Sequence, residues 1–514
     1  LNLSYVETER GYQLRIGRFA FSQAAFLLAA AFLVGIGGGY GTVLFRGLIY
    51  AETRLAFEVL APHLLFLGRF NVVPIVAIGG VLSVFIVQRL AKEARGHGTP
   101  YVLESIALRG GVLHPRGIFG TIFASATTLG FGGSAGREGP IIQIGATIGS
   151  TAGQIMKAPP SVMRSLVACG AAAGISATFN APIGGVFFAS EVILGNFAPR
   201  EFASIVVSSV VAAIIGRSVF GDHPSFSAQA FSLASPLELT LYAALGIIAA
   251  VWAWGFVKVL YGLEDVFASI RGGPYVKAIG GFGAVGLIGI AYPQVFGVGY
   301  PNVQAVLASH VPAWHGFILS VLKPLATSLT LAGGGSGGVF APSLYTGAML
   351  GDAFGRVAHD LFPSWTAPAA AYGLVGMAAV FAATSEAPIT AIMIVFEMSS
   401  DYTIILPLMI SVVIASLLGR RFIGGTIDSI ALTRRGIDWP PPRHRALRPP
   451  KLSARVDEPL SELATRLRNT DEFFVRVVDG EAFAGSITSN DVAAHLASNP
   501  HARVRDILRS RARI

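Results

Sequence analysis

The sequence predicts an all-α polytopic membrane protein of two repeated halves, followed by a small α/β module. Three observations carry this. Apolar residues make up 53% of the 514 residues and charged residues only 13%, against roughly 25% charged in ordinary soluble domains. Apolar runs recur along the chain, and glycine or proline cuts several of them short. Two blocks of sequence recur in the same order about 200 residues apart.

The first 18 residues are polar and charged, with no cleavable signal peptide evident. They read as a cytoplasmic N-terminal segment. Apolar runs follow at 19–40, 72–90, 202–215, 237–257, 278–291, 367–383 and 404–418. Some approach the roughly 20 residues that a spanning helix needs. The shorter, broken ones suit helices that stop inside a membrane. The single cysteine, Cys169, excludes an intramolecular disulfide and reads as a small packed residue.

The repeat is visible by eye. GGSAGREGPIIQIGATIG from Gly132 aligns with GGSGGVFAPSLYTGAMLG from Gly334, and GAAAGISATFNAPIGGVFFASE from Gly170 with GMAAVFAATSEAPITAIMIVFE from Gly376. Pro182 meets Pro388, and Glu191 meets Glu397. The membrane domain therefore spans 19–436, in halves of about 19–218 and 237–436. Repeated halves with interrupted helices suggest a transporter whose site lies near the bilayer midplane.

A proline- and arginine-rich linker follows at 437–451, and it cannot be a spanning helix. The module at 452–514 reads helix 460–468, strand 473–478, a turn at Asp479-Gly480, strand 482–488 and helix 490–496. The net charge of +9 concentrates at Arg10, Arg15 and Arg18, and from Arg420 to Lys451. This predicts a multi-pass protein of the cell membrane with both termini cytoplasmic. Nucleic-acid binding is the weaker reading, because no aromatic residues interleave the basic ones.

Glycines before an apolar helix leave amide hydrogens uncovered, where the helix start already carries partial positive charge. Residues 136–140 and 338–342 look like two such starts, each with an early proline. Together they form a candidate anion site that needs no cationic side chain. GGSAGREG lacks the Gly-Lys-Ser/Thr of a phosphate loop. The GxGxxG at 281–286 lies inside an apolar run and reads as helix packing. No nucleophile–base pair or metal cluster is evident, so neither an enzyme nor a metal site is expected.

GREGP at 136–140, GGVFAP at 337–342 and GHGTP at 96–100 resemble the three anion-pathway signatures of the CLC family of chloride channels and chloride/proton exchangers. FNAP at 179–182 and FEMSSDYTIILPLM at 396–409 are also similar to that family. The likeness covers about residues 20–436. It implies two inverted repeats with re-entrant helices, a homodimer in the lipid bilayer with one pore per subunit, and chloride or another small anion as substrate. Dimer contacts would come from 182–218 and 387–419. Glu138 would be the gate, a carboxylate that occupies an anion site and leaves when protonated. Arg137 would be a counter-charge at the outer mouth. Gly98, Arg137, Glu138, Gly139, Val339 and Phe340 would contribute to anion binding. His97 stands where many members carry an anion-coordinating serine. The family's proton-relay position falls on Val192, which cannot titrate, with Glu191 next to it as a candidate substitute. No tyrosine occurs in 424–436, where the family has an inner-gate tyrosine.

The tail at 477–492 resembles a single CBS motif. Thr488 and Asp491 match positions that touch nucleotide in some members, although a structural role is the stronger expectation and no cofactor is otherwise expected. The valine favours a passive chloride channel. A chloride/proton antiporter is the alternative, and a non-conducting nucleotide sensor the weakest.

Overall fold

The computed structural model of the protein describes residues 3–8, 11–16, 19–90, 98–221, 226, 233–308, 311–437, 452–468, 474–480 and 482–512. The chain opens with an antiparallel meander, β1 (Leu3–Thr8), β2 (Gly11–Ile16) and β3 (Phe19–Ser22), and β3 takes the first residues of the apolar run at 19–40. The Ser22 hydroxyl accepts the Ala25 amide at 3.3 Å and caps α1.

The first half holds α1 (Gln23–Arg54), α2 (Val72–Leu90), α3 (Gly98–Arg109), α4 (Gly117–Gly130), α5 (Glu138–Ile155), α6 (Pro160–Phe179), α7 (Pro182–Phe188) and α8 (Pro199–Phe220). The second half holds α9 (Glu238–Ser269), α10 (Pro274–Ala291), α11 (Tyr300–Leu307), α12 (Ala313–Ala332), α13 (Phe340–Leu361), α14 (Ala369–Ser385), α15 (Pro388–Ser399) and α16 (Ile405–Ile423). A short α17 (Ile427–Thr433) closes the membrane domain. The eight helices of one half correspond in order to the eight of the other, giving the two-repeat membrane fold that the sequence predicts. Among the described residues, seven helical stretches are long and apolar enough to cross a membrane, and four apolar helices are shorter.

Glycine decides how closely the central helices approach. A Cβ on Gly145 of α5 would sit 2.1 Å from the Gly170 carbonyl oxygen of α6. Its counterpart Gly347 of α13 would meet the Gly376 carbonyl of α14 at 2.2 Å. Such backbone-to-backbone packing holds helices together where lipid removes the hydrophobic drive. The GxGxxG run packs α10 as expected: Gly281 lies against α12 and Gly286 against α2. Cys169 is fully buried in the core of α6.

The halves also exchange side chains reciprocally. The Glu191 carboxylate accepts the Ile389 amide at 3.3 Å, the Thr390 amide at 2.8 Å and the Thr390 hydroxyl at 2.7 Å. Glu397 accepts the Ile183 and Gly184 amides at 2.9 and 2.6 Å. Each acid thus satisfies the open helix start, α15 or α7, of the other half.

The tail forms a three-stranded sheet. β4 (Ser453–Arg455) runs parallel to β5 (Phe474–Asp479), which pairs antiparallel with β6 (Ala482–Thr488). Helices Leu460–Arg468, Ser489–Ser498 and Val504–Ala512 cover it. Leu460, Val475, Ile487 and Val504 lie in a hydrophobic core separate from that of the membrane domain. The strand–turn–strand–helix order is the expected one, with β4 and the last helix in addition.

Candidate functional site

The site grows from two matching turns. Gly132 and Gly334 adopt φ of 92° and 94°, open to glycine and rarely to other residues. After each turn the chain is held by the other half. The Ser134 amide donates to the Thr330 hydroxyl at 3.0 Å, and the Ser336 amide to the Thr128 hydroxyl at 3.1 Å. Gly136 and Gly338 then exchange two backbone hydrogen bonds, at 2.7 and 2.6 Å. This bridge sets the first turns of α5 and α13 side by side. The start of α3 joins them, since a Cβ on Gly98 would lie 2.3 Å from the Gly139 carbonyl oxygen. Three helix starts therefore converge, and no side chain caps α5 or α13. Their first amides have no partner within their own helices, which makes the junction a candidate anion site.

Glu138 occupies that junction. It is 0% exposed. Its Oε1 accepts the Tyr300 hydroxyl at 2.6 Å, and the Arg137 guanidinium stands 3.8 Å away. The Ala341 amide, in the first turn of α13, lies close to the carboxylate. Oε2 nevertheless completes no hydrogen bond among the described residues. The Glu138 carboxylate of one half thus reaches the helix start of the other. A carboxylate so placed competes with a diffusible anion for the same donors.

Tyr300, Lys323 and Arg46 complete this end of the site, and none was singled out from the sequence. The Tyr300 ring lies beneath the Arg137 guanidinium, 5.0 Å from ring centre to charge. Lys323 of α12 is fully buried and donates to the Val295 and Gly297 carbonyls at 2.9 and 2.6 Å. It thereby holds the loop that presents Tyr300. Arg46 of α1 is within electrostatic reach of Arg137, Tyr300 and Glu138. A lone lysine in the apolar run of α12 was the signal available, because an intramembrane ionisable group marks function by default.

Beyond Glu138 lies a small cavity. Gly139, Val339 and Phe340 line it at the helix starts, and Val192, Thr384, Ile427 and Asp428 line it elsewhere. Phe340 packs against Phe381 with the rings tilted at 46° and their centres 4.1 Å apart. Of the seven anion-site residues expected from the sequence, Gly139, Val339 and Phe340 line this cavity. It also receives Val192, whereas Glu191 is engaged on the start of α15 instead. His97 lies outside the described residues. In the tail, Thr488 ends β6 and the half-buried Asp491 sits in the first turn of the following helix.

A sequence family described as voltage gated chloride channel matches residues 79–420. The chain belongs to that family, the CLC family. Its CLC relatives include a putative chloride channel protein ClcB-like of Ralstonia nicotianae, 35% identical over 75% of this chain and 91% of the relative. An H(+)/Cl(-) exchange transporter ClcA of Cronobacter sakazakii is 32% identical over 78% of this chain and 87% of the relative. Among solved CLC structures, a slow cyanobacterial Cl-/H+ antiporter superposes with a TM-score of 0.74 at 28% identity, covering 81% of this chain and 98% of that one. A eukaryotic CLC transporter matches 95% of this chain and 93% of its own, with a TM-score of 0.68 at 20% identity, a likeness of fold.

Proposed function

We propose that this protein carries chloride across the membrane in exchange for protons. The observation that carries the reading is the Glu138 carboxylate, buried where α3, α5 and α13 begin and close to an amide of the opposite half. One group that answers to both a proton and an anion is the minimal device for coupling the two. The named exchange transporter and antiporter among the relatives support this over the passive channel that Val192 favoured in the sequence. Val192 removes the expected relay acid, but it does not remove Glu138.

The test is a flux measurement in proteoliposomes under opposed chloride and proton gradients. Exchange predicts proton movement driven by a chloride gradient at a fixed ratio. A reversal potential that follows chloride alone would restore the channel. The same purified protein, examined by cross-linking in detergent and in lipid, tests a homodimer through the faces at 182–218 and 387–419. Those faces expose Phe202, Ile214, Leu406 and Leu417.

A further inference from the structure

The cavity contains an acid that the mechanism above leaves unused. Asp428 stands in the first turn of α17, the one membrane helix here without a counterpart in the other half. Its carboxylate lines the same cavity as Gly139, Val339, Phe340 and Val192. Its Oδ1 is buried and has no hydrogen-bond partner among the described residues. A buried charge is tolerated when it is paired, hydrogen-bonded or able to neutralise itself, and Asp428 has neither ion pair nor hydrogen bond there.

The phenol of Tyr261 is within electrostatic reach of Asp428, and the neighbouring charged groups are engaged elsewhere. On α9, Tyr261 donates its hydroxyl to the Ile427 carbonyl and Asp265 pairs with Arg434. Glu264 of α9 interacts with Tyr261. Glu104 of α3 binds both Arg109 and Arg435. Glu386, after α14, binds Arg420 of α16. Lys323 of α12 is bound to two carbonyls, and on α13 Asp352 pairs with Arg356. Lys258 of α9 and Arg421 of α16 are exposed. No cation among these is paired with the Asp428 carboxylate.

We propose that Asp428 is a second protonation site on the anion path, at the end nearer the tail. Ionised, it repels an anion entering the cavity from that side. A proton taken from water at the mouth converts the carboxylate to the neutral acid and lets the anion pass. The same proton, returned to water in the cavity, is available to the Glu138 carboxylate, so the site supplies a titratable group that Val192 lacks. This last step rests on the exchange reading; the control of anion entry does not.

The experiment compares four proteins in proteoliposomes with equal pH on both sides, from about pH 5 to 8: wild type, Glu138→Gln, Asp428→Asn and the double variant. With Glu138 neutralised, chloride flux keeps an acid-activated component of about threefold or more. Asp428→Asn in that background flattens it, and flux at pH 8 rises to the acid level. Asp428→Glu preserves it. Glu138→Gln that is already flat, or a double variant with the same pH dependence as Glu138→Gln, overturns the proposal. If Asp428→Asn fails to fold, Asp428→Glu carries the comparison: its acid-activated component must survive with a shifted midpoint, and an unshifted midpoint counts against the proposal. Under a chloride gradient, Asp428→Asn alone lowers proton movement per chloride at least tenfold. A wild type that moves no protons overturns the exchange reading, while the symmetric-pH comparison still judges Asp428.

Discussion

Glu138 sits where an arginine, a tyrosine and the start of a helix from the other half meet, and each neighbour contributes differently to its behaviour. Glu138→Gln removes the charge but keeps the shape. Chloride flux in that variant loses most of its acid activation, whereas flux that stays activated like wild type removes Glu138 as the main gate. Tyr300→Phe tests the hydroxyl alone. A hydrogen bond to a charged group contributes about 1.5–3 kcal/mol, and one pH unit corresponds to about 1.4 kcal/mol. The phenol O–H stabilises the ionised carboxylate, the form that on the proposed reading blocks the path. Its loss makes protonation easier, so half-activation moves to higher pH by about one unit. A shift to lower pH, or none, means that the bond of 2.6 Å does not stabilise the closed state. Glu138 was legible in the sequence through the family resemblance of its GREGP motif, since a helix start alone suggests a structural acid. Tyr300 was not legible: it stands 162 positions away, and only the fold brings it to the carboxylate.

At the scale of elements, glycine turns and reciprocal caps explain why so much of the fold could be read in advance. α2 occupies the predicted 72–90, and α5 and α13 begin within the predicted glycine stretches. Local chemistry sets those limits, through positive-φ glycines and early prolines. The N-terminal meander escaped, since short polar strands show little periodicity until they pair. The pairing of Glu191 and Glu397 was visible as a sequence coincidence, but its meaning was not. An acid inside an apolar helix suggested a proton relay, and the structure shows Glu191 bound to the start of α15. Two expectations follow for these acids. Glu191→Ala and Glu397→Ala each destabilise the detergent-solubilised protein by about 1–3 kcal/mol, the cost of leaving helix-start donors unsatisfied, read as a lowered unfolding midpoint. Glu191→Gln keeps the proton-to-chloride ratio of wild type. A ratio that collapses in Glu191→Gln while the unfolding midpoint holds makes it a relay after all.

For the whole molecule, the question is what the tail adds to a membrane domain that already contains every residue of the proposed path. The proposed anion site is complete by Asp428, and among the described residues α17 is fastened by ion pairs within the membrane domain. Arg434 pairs with Asp265 and Arg435 with Glu104, both partners lying within the membrane domain. The module has its own core, as a unit that folds around itself does. A chain ending after Ile437 retains both ion pairs, so it folds and transports chloride at a rate within about twofold of the full chain. Cutting before Arg434 removes the pairs and loosens α17, which exposes the cavity beside Asp428. The first truncation and the second thus separate a tail that regulates from a helix that seals. If the chain ending after Ile437 folds but is silent, the module takes part in opening the path. If it transports but no longer cross-links as a dimer while the full chain does, the module contributes to assembly.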